Sequence, residues 1–288
     1  MRRRASGRLA TRRKLGALIG TIGVALLLGS CGGGQLEPVT KQGQGLHRLY
    51  LVMWVIALVI FVGVEIAIWG FPIVFRRRRG DDELPEQIHG KSALEAVWIA
   101  IPAVIVITLF FLSWQQINKV QAKEAVPAHQ IKVIGKQWAW SFDYGNGVTV
   151  VGQNATKNTA GFSGAPVPPR LVVPVGENIE FKLQSDDVIH SFYIPASLYK
   201  LDVVPGQQNS FQVTFDKTSE DQPANGIYSA GAFQGACAEL CGTQHAQMLF
   251  EVEVVSPEQF DTWLRQKQAA ARGAGGGSGA TTTTAATK

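Results

Sequence analysis

Sulfur and imidazole are scarce in this 288-residue chain, which has three cysteines, three methionines and five histidines. Three cysteines allow one intramolecular disulfide at most, so no disulfide framework holds the fold. No C-x-x-C-H run occurs, which excludes covalently attached haem of the c type. Acid is missing from the first thirty residues, where seven of the 27 Lys and Arg lie: Arg2, Arg3, Arg4, Arg8, Arg12, Arg13 and Lys14. The formal charge of +5 comes from that stretch; the remainder carries 20 basic against 22 acidic side chains, a balance near −2. A nucleic-acid-binding protein would carry its basic excess on the folded part, so that partner class is excluded.

What the first thirty residues do have is an arginine-rich start, an apolar run from about Leu15 to Leu28, and "LLGSC" ending at Cys31. A short apolar run behind positive charge reads as a secretory signal peptide, residues 1–30, rather than a membrane span. Gly29 and Ser30 before Cys31 resemble a bacterial lipobox, which implies lipidation of Cys31 as the first residue of the mature chain. The alternative is an ordinary cleavage site with a cysteine nearby. Residues 31–45 then form an N-terminal extracytoplasmic segment.

Two runs are long enough to cross a bilayer: Leu49 to Phe75, with one ionisable group, and Ala93 to Trp114. About twenty apolar residues span the hydrocarbon core, so residues 46–118 are expected to form a helical hairpin. The connecting "RRRRGDDELPEQIHGKS" is short and arginine-rich, the composition of a cytoplasmic loop. Both outer ends of the hairpin, and both chain termini, are then extracytoplasmic, the orientation that the signal peptide demands independently. Glu65 stands mid-span, where a carboxylate faces protein or water rather than lipid.

From residue 125 to 256 the pattern becomes short β-rich runs separated by turn pairs, with alternation visible in "NIEFKLQ" and "SFQVTF". Strands without amphipathic helices between them imply an all-β sandwich or barrel. "SPEQFDTWLRQKQAAAR" reads as a C-terminal amphipathic helix over 257–271, opened by Ser256 and Pro257. Residues 272–288 are Gly/Thr/Ala low complexity and are expected to be a disordered tail.

The two cysteines beyond Cys31 share one loop, "GACAELCGTQHAQM". Spacing alone permits a disulfide between Cys237 and Cys241. His245, four positions after Cys241, and Met248, three after His245, have no place in that reading. Thiolate, imidazole and thioether form the soft donor set that copper prefers, and zinc seldom takes methionine. A mononuclear blue-copper site needs one cysteine and two histidines; here there are two cysteines and the second imidazole must come from elsewhere. His190, in "DDVIHSFYIP", is the histidine in mid-strand of the β region. Two thiolates can each bridge two ions, so His190, Cys237, Cys241, His245 and Met248, with the backbone carbonyl of Glu239, suffice for a pair of coppers.

"CAELCGTQHAQM" after "DDVIHSFYIP", behind a two-helix hairpin, resembles subunit II of the haem-copper cytochrome c oxidases. The resemblance covers residues 46 to 265 and matches the family pattern C-x-E-x-C-G-x-x-H-x-x-M with its upstream histidine. It implies a cupredoxin-like β domain carrying dinuclear copper A, with His190, Cys237, the Glu239 carbonyl, Cys241, His245 and Met248 as ligands. It also implies electron transfer from cytochrome c to haem in subunit I, oxygen reduction to water and proton pumping, in a bacterial plasma membrane. Subunit III is a further implied partner, and haem resides in the partner alone.

Three more matches carry expectations. "GKQWAWSFDY" is similar to the family's aromatic stretch, which implies that Trp138 receives the electrons, with Trp140 and Phe142 as core aromatics. Lys136 and Ala139 depart from the usual His and Tyr there. Glu239 matches a residue whose carboxylate binds magnesium at the boundary with subunit I, a role suited to a hard ion. Glu95 matches the glutamate at the mouth of the family's proton channel; equally, Ser92-x-x-Glu95 reads as a capping box that starts the second helix. Asp143, Asp186, Asp187 and Asp216 are candidate docking carboxylates for the cytochrome. Two other classes compete with the electron-transfer reading: a non-redox subunit such as quinol oxidases carry, which lacks the ligands, and a membrane-anchored copper-delivery or storage protein.

Overall fold

The computed structural model describes residues 37–76, 90–152, 156–158, 161–163, 168–225 and 228–275. The signal segment with Cys31, most of the arginine-rich loop and the tail from residue 276 lie outside the described residues. Two long helices come first, α1 (Lys41–Val74) and α2 (Ser92–Gln121). Both are long and apolar enough to cross a membrane, and each exceeds its apolar run by about two turns on the side of the β domain. Glu65 takes a hydrogen bond from the Trp69 indole one turn on, at 2.8 Å, which satisfies part of its polarity within the helix. The capping box expected at Ser92 does not form: the cap is Lys91, with no side-chain bond. Its reciprocal geometry occurs instead at Ser256, whose N–H reaches Gln259 Oε1 at 2.9 Å while its Oγ accepts from Gln259 N at 3.3 Å. That box opens the last helix, α3 (Pro257–Gly275), which runs beyond residue 271.

Between α2 and α3 the described residues form twelve strands: β1 (His129–Lys136), β2 (Ala139–Asp143), β3 (Thr149–Val151), β4 (Thr156–Asn158), β5 (Gly161–Ser163), β6 (Arg170–Pro174), β7 (Asn178–Ser185), β8 (His190–Ile194), β9 (Tyr199–Val203), β10 (Asn209–Thr214), β11 (Phe233–Cys237) and β12 (Leu249–Val255). They form two five-stranded sheets, β10-β7-β1-β2-β3 and β6-β12-β11-β8-β9, with β4-β5 a separate hairpin. Pairing is antiparallel except for β1 with β7 and β6 with β12. The sandwich forms because side chains alternate across each strand. Ile179, Phe181 and Leu183 of β7, and Trp140 and Phe142 of β2, are fully buried. They meet Phe192 of β8 and Phe250 of β12, whose rings stack at 4.6 Å and 9°. Gly235 makes that stack possible, since a Cβ there would come within 2.2 Å of the Phe250 ring.

Both helices are fastened to β10, where Thr214 N donates to Gln42 Oε1 at 3.2 Å, and to the residues just past it. Before α1, Val39 N donates to Ala196 O at 2.9 Å and Asp216 N donates to Val39 O at 2.9 Å, while Thr40 bridges to Phe215. After α2, the buried amide of Gln212 clamps the backbone of Glu124, accepting from its N–H at 2.6 Å and donating to its carbonyl at 3.0 Å. The two outer ends of the hairpin therefore lie on the same side, against the β domain. Asp216 belongs to this junction, taking a bond from the Gln44 amide, and so is removed from the set of docking carboxylates. Asp143 closes the end of β2 away from the β1–β2 turn and accepts from Gly145 N at 2.8 Å.

Glu251 is a buried carboxylate on β12, held by Arg170 at 2.9 Å and by Ser229 N. Burial pushes its pKa up, but the Ser229 N–H and the Arg170 guanidinium outweigh this and hold it below the ordinary glutamate value. A depressed folded pKa means that its stabilisation is present above the unfolded value and lost as pH falls through the folded one. Glu251→Gln should therefore cost about 1–3 kcal/mol near neutral pH. The deficit should shrink below about pH 4, where the unfolded glutamate itself protonates. Denaturant unfolding of the full chain in detergent, run at several pH values, checks it.

Candidate metal centre

The cluster sits where β8 begins and β11 ends. His190 is the first residue of β8 and Cys237 the last of β11, and Cys237 pairs with Phe192 across the two strands. The loop after β11 returns Cys241 beneath Cys237, a 3₁₀ turn over His245–Gln247 follows, and Met248 leads into β12. Three bonds fix this loop: Cys237 N to Met248 O at 3.0 Å, Ala238 N to Ser191 O at 3.0 Å, and His245 N to Gly242 O at 3.1 Å. Gly242 has φ +119°, which requires glycine at this point, and a Cβ there would stand 3.1 Å from the Trp138 ring, a tight contact.

The structure brings together the six donors read from the sequence. The sulfurs of Cys237 and Cys241 are 3.8 Å apart and both thiols are free. His190 Nδ1 faces Cys237 Sγ at 3.9 Å and His245 Nδ1 faces Cys241 Sγ at 3.6 Å. Met248 Sδ is 3.8 Å from Cys241 Sγ, and the Glu239 carbonyl is 3.3 Å from Cys237 Sγ. His190, Cys237 and Cys241 have ligand atoms within 4.8 Å of one another. His190, Met248 and both cysteines are buried, and His245 is half-buried. A metal–thiolate bond of about 2.3 Å is longer than half the sulfur separation, so one ion can touch both sulfurs. The soft donors and their spacing fit copper.

The electrostatics favour ionised sulfur at one position. Burial pushes the Cys237 thiol up, but the contacts with His190 and with the Glu239 and Ser191 backbone outweigh it and lower its pKa. Cys241 is raised, by burial and by the neighbouring Cys237 charge. Two adjacent thiolates repel, and a cation between them relieves that repulsion.

Asp187 is the residue whose role the sequence did not reveal. Its Oδ1 lies 2.9 Å from His190 Nε2 and its Oδ2 accepts from Gln137 N at 2.7 Å. With a carboxylate at Nε2, that nitrogen holds the ring proton and Nδ1 turns its lone pair to the sulfurs. Burial raises the Asp187 pKa, but the Gln137 N–H and His190 bonds hold it below the ordinary value. Burial likewise lowers that of His190, which the bonds to Cys237 and Asp187 turn into a net rise. An aspartate three residues before a candidate ligand was the available signal, but spacing alone does not distinguish an orienting carboxylate from a solvated one. Gly135 completes the niche: a Cβ there would sit 3.0 Å from the His190 ring. Asp187→Asn should weaken copper binding about 10–100-fold, measured by competition with a chelator.

The remaining candidates fall around this centre or far from it. Trp138 occupies the β1–β2 turn, half-buried, and its Nε1 donates to the Cys241 carbonyl at 3.0 Å, beside the Gln137 amide at 2.7 Å. Trp140, two residues on, is fully buried and its indole reaches Met248 O at 3.3 Å. The Glu239 side chain is exposed, as is Glu95 in the first turn of α2.

Known proteins resemble this chain in both its helical and its β regions. Residues 37–116 match the family described as cytochrome c oxidase subunit II, transmembrane domain, and residues 129–255 match cytochrome c oxidase subunit II, periplasmic domain. A probable cytochrome c oxidase subunit 2 of Streptomyces avermitilis is 32% identical, covering 81% of this chain and 78% of that one. Cytochrome c oxidase subunit 2 of Corynebacterium diphtheriae is 31% identical over 87% of this chain and 83% of that one. Among solved structures, the periplasmic domain of subunit II of cytochrome oxidase from Bradyrhizobium japonicum is 31% identical, covering 50% of this chain and 96% of that one, with a TM-score of 0.39.

Proposed function

This chain belongs to the cytochrome c oxidase subunit II family, and from that membership we propose that it accepts electrons from cytochrome c at a dinuclear copper A centre and passes them to haem in subunit I. The reaction served is the reduction of oxygen to water coupled to proton pumping. The observation that carries this reading is the convergence of two free thiols, two imidazole Nδ1 atoms, a thioether and a carbonyl within bonding reach of a metal pair. When bound, the copper pair supplies a one-electron acceptor and donor whose charge is shared over two ions.

The protein's part is to hold the donors still and dry. Burial of His190, Cys237, Cys241 and Met248 excludes water, and the loop bonds described above restrict movement when charge arrives. Asp187 orients His190. Trp138, bonded to the carbonyl of Cys241 and open on one side, is the residue against which a cytochrome c would rest. The exposed carboxylate of Glu239 is available to magnesium at the boundary with subunit I, while its carbonyl faces the thiols. Glu95 stands at the opposite end of the hairpin from the β domain, the end that the positive-inside rule assigns to the cytoplasm. That orientation puts the copper domain outside the bacterial plasma membrane, with Cys31 as its lipid anchor and subunit III as a further neighbour.

Copper analysis of the full chain tests the reading. Two tightly held, mixed-valence ions per chain support it; a single labile ion would point to copper delivery and overturn it.

A further inference from the structure

A cavity lies between the two helices, away from the candidate metal centre. It measures about 430 Å³ and is bounded on α1 by Lys41 and Arg48 and on α2 by Lys119. No acidic residue lines it, and none of the three cations makes an ion pair with a carboxylate among the described residues. Below the cations the walls turn apolar, through Leu49 and Val52 on α1 and Leu112 on α2.

The place of this change is the place where the helices enter hydrocarbon. The apolar run of α1 starts at Leu49 and that of α2 ends at Trp114, so the cations stand at the level of the lipid headgroups and the apolar wall just beneath. Tyr50 and Trp114, both largely exposed, mark the same level, as interfacial aromatics do. The cavity is shaped by the fold: Gly45 has no Cβ, and one built there would stand 2.2 Å from the Gln116 amide. The Gln116 amide adds a neutral donor and acceptor to the lining. The volume is within the range of small-molecule sites, enough for a headgroup and too little for acyl chains, which would run down the apolar wall.

We propose that this cavity binds the phosphodiester headgroup of an anionic phospholipid, held by Lys41, Arg48 and Lys119 with its acyl chains along Leu49, Val52 and Leu112. Charge complementarity selects the anion, and the apolar wall selects a lipid over a soluble phosphate. The site is independent of the copper-based reading, and either can fail without the other.

Native mass spectrometry of the full chain in mild detergent tests it, with phosphatidylglycerol and phosphatidylcholine as probes. One phosphatidylglycerol should be retained per chain in an excess of phosphatidylcholine, and inorganic phosphate should not displace it. Arg48→Gln combined with Lys119→Gln should weaken retention about 25-fold, about five-fold for each cation removed at a membrane surface. The circular dichroism spectrum of the same variant should be unchanged, which verifies folding. Equal retention of both lipids, displacement by inorganic phosphate, indifference to the double variant, or loss of the folded circular dichroism spectrum together with loss of lipid would each overturn the proposal.

Discussion

Replacing Cys237 by serine should remove from the copper-loaded chain the hyperfine pattern of two equivalent copper nuclei in electron spin resonance. The sulfur of Cys237 is the contact common to His190 Nδ1, the Glu239 carbonyl and Cys241 Sγ. A serine hydroxyl is a hard donor that does not ionise near neutral pH, so it cannot bridge two soft ions. Copper content should fall to one ion per chain or fewer. Met248→Leu makes the contrast: a thioether is a weak ligand that tunes rather than bridges, so that variant should keep two coppers with an altered spectrum. Survival of the two-nucleus pattern in Cys237→Ser would show that thiolates do not bridge the pair.

The second large effect is expected at Trp138. Its indole contacts the loop of Cys241 through a 3.0 Å hydrogen bond to the carbonyl, and part of the ring faces solvent. A tryptophan at the centre of a docking surface contributes at least about 2 kcal/mol to association, or about 30-fold in affinity. In the assembled oxidase, Trp138→Ala should therefore slow reduction by cytochrome c at least about 30-fold while the copper spectrum stays in place. Trp138→Phe separates two contributions, since it keeps an aromatic face and loses the N–H donor. If the alanine variant loses copper instead, Trp138 is a buttress of the loop and not a contact for the donor.

The four candidate docking carboxylates read from the sequence are each engaged within the fold. Asp216 is engaged at the junction with α1, Asp143 is tied to its own turn, and Asp187 is bonded to His190 and to Gln137. Asp186, just past the end of β7, takes a bond from the Gln184 amide at 3.3 Å. Charge patterning in a sequence shows which residues are acidic, but engagement by partners distant along the chain depends on the fold.

The legible features were those that local chemistry dictates. Hydrocarbon thickness sets the length of a spanning helix, so two apolar runs were enough to identify the hairpin. The pleat alternates side chains, so "NIEFKLQ" disclosed the inward face of β7. Four donors within twelve residues marked the loop of the candidate metal centre, because no packing argument demands cysteine, histidine and methionine at those intervals. His190 was recoverable only by noticing that the loop offers one imidazole where two are needed. The start of α2 was misplaced because Ser92 and Glu95 have the spacing of a capping box at a site where the chain begins its helix one residue earlier.

Composition and spacing thus determined a membrane hairpin, a β domain and a soft-metal loop, because each depends on neighbours within a few residues or on a single solvent boundary. Tertiary structure alone decided the parallel pairings of β1 with β7 and β6 with β12, the attachment of both helices to β10, and the carboxylate of Asp187 behind His190. It alone created the cationic cavity above Leu49 and Leu112. Those features join residues far apart in the chain, and only the packing of the sandwich and the approach of the two helices at Gly45 bring them within bonding distance.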